Sequence, residues 1–203
     1  MKHEGYYANL TGDQGGMTYA GIARNFHGSW QGWRIIDNAI ALRGGSLPNN
    51  HYINDPRLDL YVRDFYLGIW RKSLAEKIHN QDIAHLYFDF YVHSAKAVRE
   101  VQKVLVSMGR KISTDNRPGN ATIFAINSYP DPAVLHDAIK RQRISYLYEI
   151  SAYGSNAQFL PGWLARLADF PDLSTQKTIA IGGIIALSLI GLYILQNERI
   201  RKI

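Results

Sequence analysis

The chain has no cysteine, which excludes a disulfide framework and any thiolate metal site. Its 7 histidines are scattered. No H-E-x-x-H pair or other metal spacing occurs, so each reads as a surface or core residue and no metal or other cofactor is expected. A net charge of +6 favours an anionic partner such as a cell-wall polymer or acidic lipid; with no basic run and no nucleic-acid motif, no nucleic-acid partner is expected. Internal repeats, low-complexity linkers and convincing alternating strand patterns are missing, which leaves a mainly α fold. Residues 1–20 lack the apolar core of a signal peptide.

Chemistry-bearing residues concentrate at the start. Glu4 and Asp13 are followed by Gly15-Gly16 and Thr18, among Tyr6, Tyr7 and Tyr19. Glycoside hydrolysis needs one carboxyl that keeps its proton for the leaving oxygen and a second that stays ionised. Tyr6 and Tyr7 offer Glu4 the apolar shielding that raises a carboxyl pKa, whereas backbone N–H groups of a Gly-rich turn would keep Asp13 charged. Glu4 is therefore the candidate acid and Asp13 the candidate base or stabiliser. The Thr18 hydroxyl is a candidate holder of the attacking water, and the glycine pair allows the turn that returns Asp13 and Thr18 toward Glu4. The same residues would also occur in a plain turn with no chemistry. Aromatic content of 12%, including 13 Tyr and 4 Trp, suits stacking on pyranose faces and equally suits core filling. Tyr6, Tyr7, Tyr19, Trp30 and Trp33 are the candidate sugar contacts, with core packing the equal alternative for the two tryptophans.

At 203 residues the chain can bury a full core, with about 175 residues before a hydrophobic tail. Apolar spacing predicts a helix over 35–43, ended by Gly44-Gly45, and another from Leu58 to about Ile78, bent near Gly68. A long central helix is expected from about Asp82 to Met108, with Asp89 in its apolar stripe as a hydrogen-bonding acid rather than a substrate contact. After a polar loop over 109–119 come a short helix at 120–129 and a long one opened by Asp131-Pro132. The latter should run to about Tyr153 and present Lys140, Arg141 and Arg143 as a solvated basic face. A last amphipathic segment starts at Pro161 and reaches Phe170.

Glu4-Gly5-Tyr6 and Asp13-Gln14-Gly15-Gly16-Met17-Thr18-Tyr19-Ala20-Gly21-Ile22 together resemble the signature of glycoside hydrolase family 108, the phage endolysin and secretion-activator group of N-acetylmuramidases. That signature reads roughly E-G-G-Y, then D-P-G-G-x-T-x-x-G-I; here Tyr6 replaces its second Gly and Gln14 its Pro. Phe88 to Ser94, with Val98, Val101-Gln102 and Leu105, is similar to the family's central helix. Thr122 falls on the Thr of its D-G-x-x-G-x-x-T turn, and Pro161 to Leu167 is similar to its G-W-L-x-R box. The resemblance covers about residues 3–170. It implies a lysozyme-like helical bundle and places the family's catalytic glutamate on Glu4 and its glycine-box acid and Thr on Asp13 and Thr18. The expected organisation is a muramidase catalytic part at 1–95 and a helical peptidoglycan-binding part at 96–174 packed on it. Residues 175–203 would form a transmembrane helix and basic tail.

The tail expectation rests on residues 178–195, which carry no charge and as a helix would span roughly 27 Å, close to a bilayer core. Arg199, Arg201 and Lys202 beyond it put the C-terminus in the cytoplasm by the positive-inside rule. A single-pass bacterial inner-membrane protein with its domain facing the wall is thus expected, with peptidoglycan and the membrane as partners and a holin as a further one. The function expected is hydrolysis of the β-1,4 bond between N-acetylmuramic acid and N-acetylglucosamine. Alternatives are a non-catalytic wall-binding or secretion-assisting module with a decayed site, and a membrane-lesion protein acting through the tail.

Overall fold

The computed structural model describes residues 5–10 and 15–175. The chain divides after Lys72 into two compact units.

The first unit opens with three two-residue strands, β1 (Tyr7–Ala8), β2 (Thr18–Tyr19) and β3 (Ile22–Ala23). They form an antiparallel sheet in the order β1-β2-β3, with Tyr7 opposite Tyr19, and Tyr19 opposite Ile22. Ala20 and Gly21 link β2 to β3, and both have positive φ, as a tight hairpin turn requires. Strand side chains alternate between faces. Tyr7, Tyr19 and Ile22 accordingly bury themselves in the core with Trp33, Ile36, Leu58 and Val62, while Ala8, Thr18 and Ala23 are half-buried on the other face. Helix α1 (Gly32–Leu42) and helix α2 (Pro56–Lys72) close this core. The start of α1 depends on Gly32, because a Cβ there would lie 2.3 Å from the Trp30 ring.

In the second unit, Leu74 takes the left-handed conformation just after α2 and leads into a 3-10 turn over Ala75–Lys77. This is why the helix expected through Ile78 ends at Lys72. The long helix expected over 82–108 is two: α3 (Gln81–His93) and α4 (Ala97–Ser107). The break falls at Ser94, whose backbone is extended. Its hydroxyl accepts from the Lys96 backbone N–H and shares a 2.7 Å hydrogen bond with the Tyr146 hydroxyl, offering the chain an alternative to helical bonding. Helix α5 (Asn120–Asn127), helix α6 (Pro132–Ser151), a 3-10 segment (Gly154–Phe159) and helix α7 (Leu160–Ala168) follow. Asp131 caps α6 as the sequence implies, accepting from the Ala133 and Val134 N–H groups.

Two ionic clusters hold this unit together. Asp89 of α3 pairs with Arg143 of α6 at 2.5 Å through one carboxylate oxygen and with Arg166 of α7 at 2.5 Å through the other. Arg143 is therefore not on a solvated face: its side chain is 1% exposed. Burial alone would raise the Asp89 carboxyl, but the Arg166 hydrogen bond and the charges of both guanidiniums more than offset this and hold it below the usual range. Nearer the start of α6, Asp137 accepts from the Ser174 backbone N–H and hydroxyl through Oδ2 and from the Leu173 N–H through Oδ1, the oxygen that also lies 3.0 Å from the His136 ring nitrogen Nδ1.

Among the described residues no helix is long and apolar enough to cross a membrane. The longest, α6, carries Asp137, Lys140, Arg141, Arg143 and Glu149, charges that a bilayer core would penalise. For the described residues the fold class is thus corrected to a mainly helical one with no membrane-crossing helix among them, and the expected single-pass inner-membrane location finds no support there. The stretch 178–195 lies outside the described residues.

Candidate active site

Of the three candidate catalytic residues, Thr18 is placed by the structure, whereas Glu4 and Asp13 lie outside the described residues. Thr18 belongs to the central strand of the hairpin, flanked by Ala8 and Ala23. All three residues are half-buried on that face. The turn that leads into the strand depends on Gly16, at φ +66, where a Cβ would lie 2.8 Å from the Asn25 side chain. The Arg24 N–H donates to the Met17 carbonyl at 2.8 Å and the Asn25 N–H to the Gly15 carbonyl at 3.1 Å, so backbone bonds fix the glycine box from behind.

The five candidate sugar contacts separate by burial. Tyr7 is 3%, Tyr19 1% and Trp33 3% exposed, whereas Tyr6 is 44% exposed. Trp30 is half-buried and donates its indole N–H to the Tyr61 carbonyl at 3.3 Å, standing edge-on to Trp33 with ring centres 5.2 Å apart. Tyr19 accepts from the Ile53 N–H at 3.3 Å, and burial pushes its phenol pKa up. The Trp33 indole donates to the His27 carbonyl at 2.8 Å. Tyr7, Tyr19, Trp30 and Trp33 thus form the packed base of the hairpin, and Tyr6 offers a ring to solvent.

Tyr6 does not stand alone. The segment around Asn50 and His51 pairs with β1: the Asn50 N–H donates to the Tyr7 carbonyl at 2.6 Å and the Tyr7 N–H to the His51 carbonyl at 3.3 Å. The Asn50 side chain also accepts from the Tyr6 N–H at 3.0 Å. This pairing sets Tyr52 against Tyr6, with ring centres 4.9 Å apart and the planes tilted by 59°. The Tyr52 hydroxyl donates to the Asp59 carboxylate at 2.9 Å, which raises the phenol pKa. Sequence reasoning assigns no role to Tyr52, which lies between the two expected helices, or to Asp59; a Tyr midway between Pro48 and Pro56 is the one signal available.

Just after β3, the two terminal guanidinium nitrogens of Arg24 reach the Asp37 carboxylate, at 2.5 and 2.9 Å. This pairing lowers the Asp37 pKa and ties the end of β3 to α1. In the second unit Asp89 is committed to its two arginines, as the hydrogen-bonding reading requires. Thr122 is buried and its hydroxyl accepts from the Gln102 amide at 3.1 Å; the Gln102 carbonyl in turn accepts from the Asn116 N–H at 2.9 Å. Gln102 and Thr122 therefore hold the 115–117 turn in place. No group of three or more His, Asp or Glu side chains suited to a metal ion occurs among the described residues.

Residues 1–94 match the family described as glycosyl hydrolase 108, and residues 96–168 match the predicted peptidoglycan domain. No curated protein matches the chain. Among solved structures, SagA of Brucella abortus superposes with a TM-score of 0.56 at 20% identity, over 83% of this chain and 85% of that one, a likeness of fold. Because the two matches abut and together take in the glycine box, the central helices and Trp163, residues 1–94 belong to glycosyl hydrolase family 108 and are followed by a peptidoglycan domain, which makes the chain a lysozyme-like glycoside hydrolase acting on peptidoglycan.

Proposed function

We propose that the enzyme cleaves the β-1,4 bond between N-acetylmuramic acid and N-acetylglucosamine, with Glu4 as proton donor to the glycosidic oxygen. Asp13, helped by the Thr18 hydroxyl, orients water or steadies the oxocarbenium-like transition state. Residues 1–95 carry the cleavage and residues 96–174 hold the wall. The observation that carries this reading is the family match over residues 1–94, a span that contains Glu4, Asp13 and Thr18. The place of Thr18 on the half-buried face of the central strand, paired on both sides, supports its role, since a water-holding hydroxyl must be fixed in position. Tyr6, with Tyr52 beside it, covers a sugar ring. Tyr7, Tyr19, Trp30 and Trp33 act from below by holding the hairpin in shape.

The test is digestion of purified peptidoglycan, followed by borohydride reduction and identification of the new ends. Wild type should yield reduced N-acetylmuramic acid, and Glu4→Gln should release ends about 10²–10⁴-fold more slowly, the range expected on losing a general acid. Reduced N-acetylglucosamine ends would refute the bond assignment; wild-type rates in Glu4→Gln would refute the donor.

A further inference from the structure

The second unit bears a groove of ≈ 420 Å³ outside the residues assigned to chemistry. Its rim carries Lys77, His79, Asn120 and Ser128, with Phe124 beside them. Helix α5 explains why Phe124 stands there. Thr122, Ile123, Ala125 and Ile126 are buried and secure the helix to its unit, which turns Phe124 outward at 73% exposure. Asn127 fixes the groove. Its amide donates to the Lys77 carbonyl at 2.8 Å and accepts from the His79 backbone N–H at 2.9 Å, so the 77–79 segment and α5 are held to each other by one side chain. Among the described residues no acidic one lines the groove, and the one permanent charge they bring to it is the Lys77 ammonium.

We infer that this groove is a glycan-recognition site for peptidoglycan, an inference that rests on residues 96–174 holding the wall. A saccharide ring of the strand lies over Phe124, since the apolar face of a pyranose covers an aromatic face. Its hydroxyl and acetamido groups meet the Asn120 and Ser128 side chains, which can both donate and accept. Where no stem peptide is attached, as on stripped strands, the free lactyl carboxylate of N-acetylmuramic acid meets Lys77, the charge complementarity expected of a cationic rim. A groove of this size, built around one ring, falls far short of the roughly 800 Å² per partner that a stable protein interface buries. It matches one or two sugars.

The test uses the full chain, co-sedimented briefly in the cold with intact sacculi and, in parallel, with glycan strands stripped of peptide. Phe124→Ala should weaken binding to both by about tenfold, as loss of a covered aromatic face implies. Lys77→Gln should weaken binding to the stripped strands, whose lactyl carboxylates are free, by about threefold and flatten its salt dependence. Both side chains are exposed, so both variants should melt as wild type does. Wild type that binds neither material would overturn the wall-holding reading itself. Wild-type binding that both variants retain in full would overturn the groove alone. Binding to sacculi but not to stripped strands would overturn the glycan as occupant in favour of the stem peptides.

Discussion

Asp89→Asn should be among the most damaging conservative substitutions in the second unit. The change keeps the shape of the side chain and removes its charge. In the native protein that charge faces Arg143, 1% exposed, at 2.5 Å, and Arg166, 24% exposed, at 2.5 Å. Without it, two guanidiniums converge on a neutral amide, and the deeper one has no counter-ion. Removing one partner of a buried pair typically costs about 3–5 kcal/mol, because the remaining charge stays desolvated. Against a total of about 5–15 kcal/mol for a domain, this is a large share. Arg166→Gln should be milder, about 1–2 kcal/mol, since Asp89 then keeps Arg143 and the lost partner is partly solvated. Urea denaturation of the full chain followed by far-ultraviolet circular dichroism, which reports mainly the helices, would rank the two. An Asp89→Asn midpoint within about 1 kcal/mol of wild type would refute the reasoning, as would Arg166→Gln being the worse of the pair.

Stability of the same unit should depend on pH through His93. Burial, reinforced by the positive charges of Arg143 and Arg166, lowers its pKa to about 4 from 6.5. Between those values the unfolded chain binds a proton that the folded one refuses, so the His93 contribution is complete above about pH 6.5 and fades as pH falls to about 4. His93→Phe should flatten that limb in denaturation midpoints measured from pH 4 to 7, and an unchanged slope would count against it. In the first unit, Gly32→Ala should destabilise by about 1–3 kcal/mol, the usual range for overpacking, because the new Cβ meets the Trp30 ring at 2.3 Å. Thermal melting monitored by tryptophan fluorescence would detect it, and a melting temperature equal to wild type would show that the ring moves aside freely.

Helices were the most legible part of the chain, because apolar spacing and caps are local. Asp131-Pro132 predicts the start of α6, and the structure supplies the two capping hydrogen bonds. The break between α3 and α4 was not legible, since the apolar stripe continues across Ser94 and the bond that favours the break reaches Tyr146, 52 positions away. The hairpin escaped for another reason: its strands are two residues long, too short to show alternation. Residue type misled at Arg143, where a basic side chain on an amphipathic helix reads as solvated until its partner on α3 is known. Within the candidate site, the glycine box and Thr18 are singled out by motif and family resemblance alone. Tyr52 is not, because it reaches Tyr6 through a backbone pairing between Tyr7 and His51 that leaves no trace in local sequence.

The position of α3 bears on how this enzyme could be taken apart and recombined. By family likeness, residues 81–93 fall within the hydrolase match, which ends at residue 94, and the peptidoglycan domain begins at residue 96. Physically, Asp89 of that helix is the counter-ion for Arg143 and Arg166, and Ile83, Leu86, Tyr87 and Phe90 bury their side chains in the same unit. A graft begun at residue 96 would therefore carry two arginines away from the carboxylate that neutralises them, together with an uncovered apolar face. The workable seam for swapping wall-holding modules between relatives is the one after Lys72, where the left-handed turn at Leu74 already separates one folding unit from the next. The unit of heredity and the unit of folding overlap here without coinciding, and α3 is the helix they dispute.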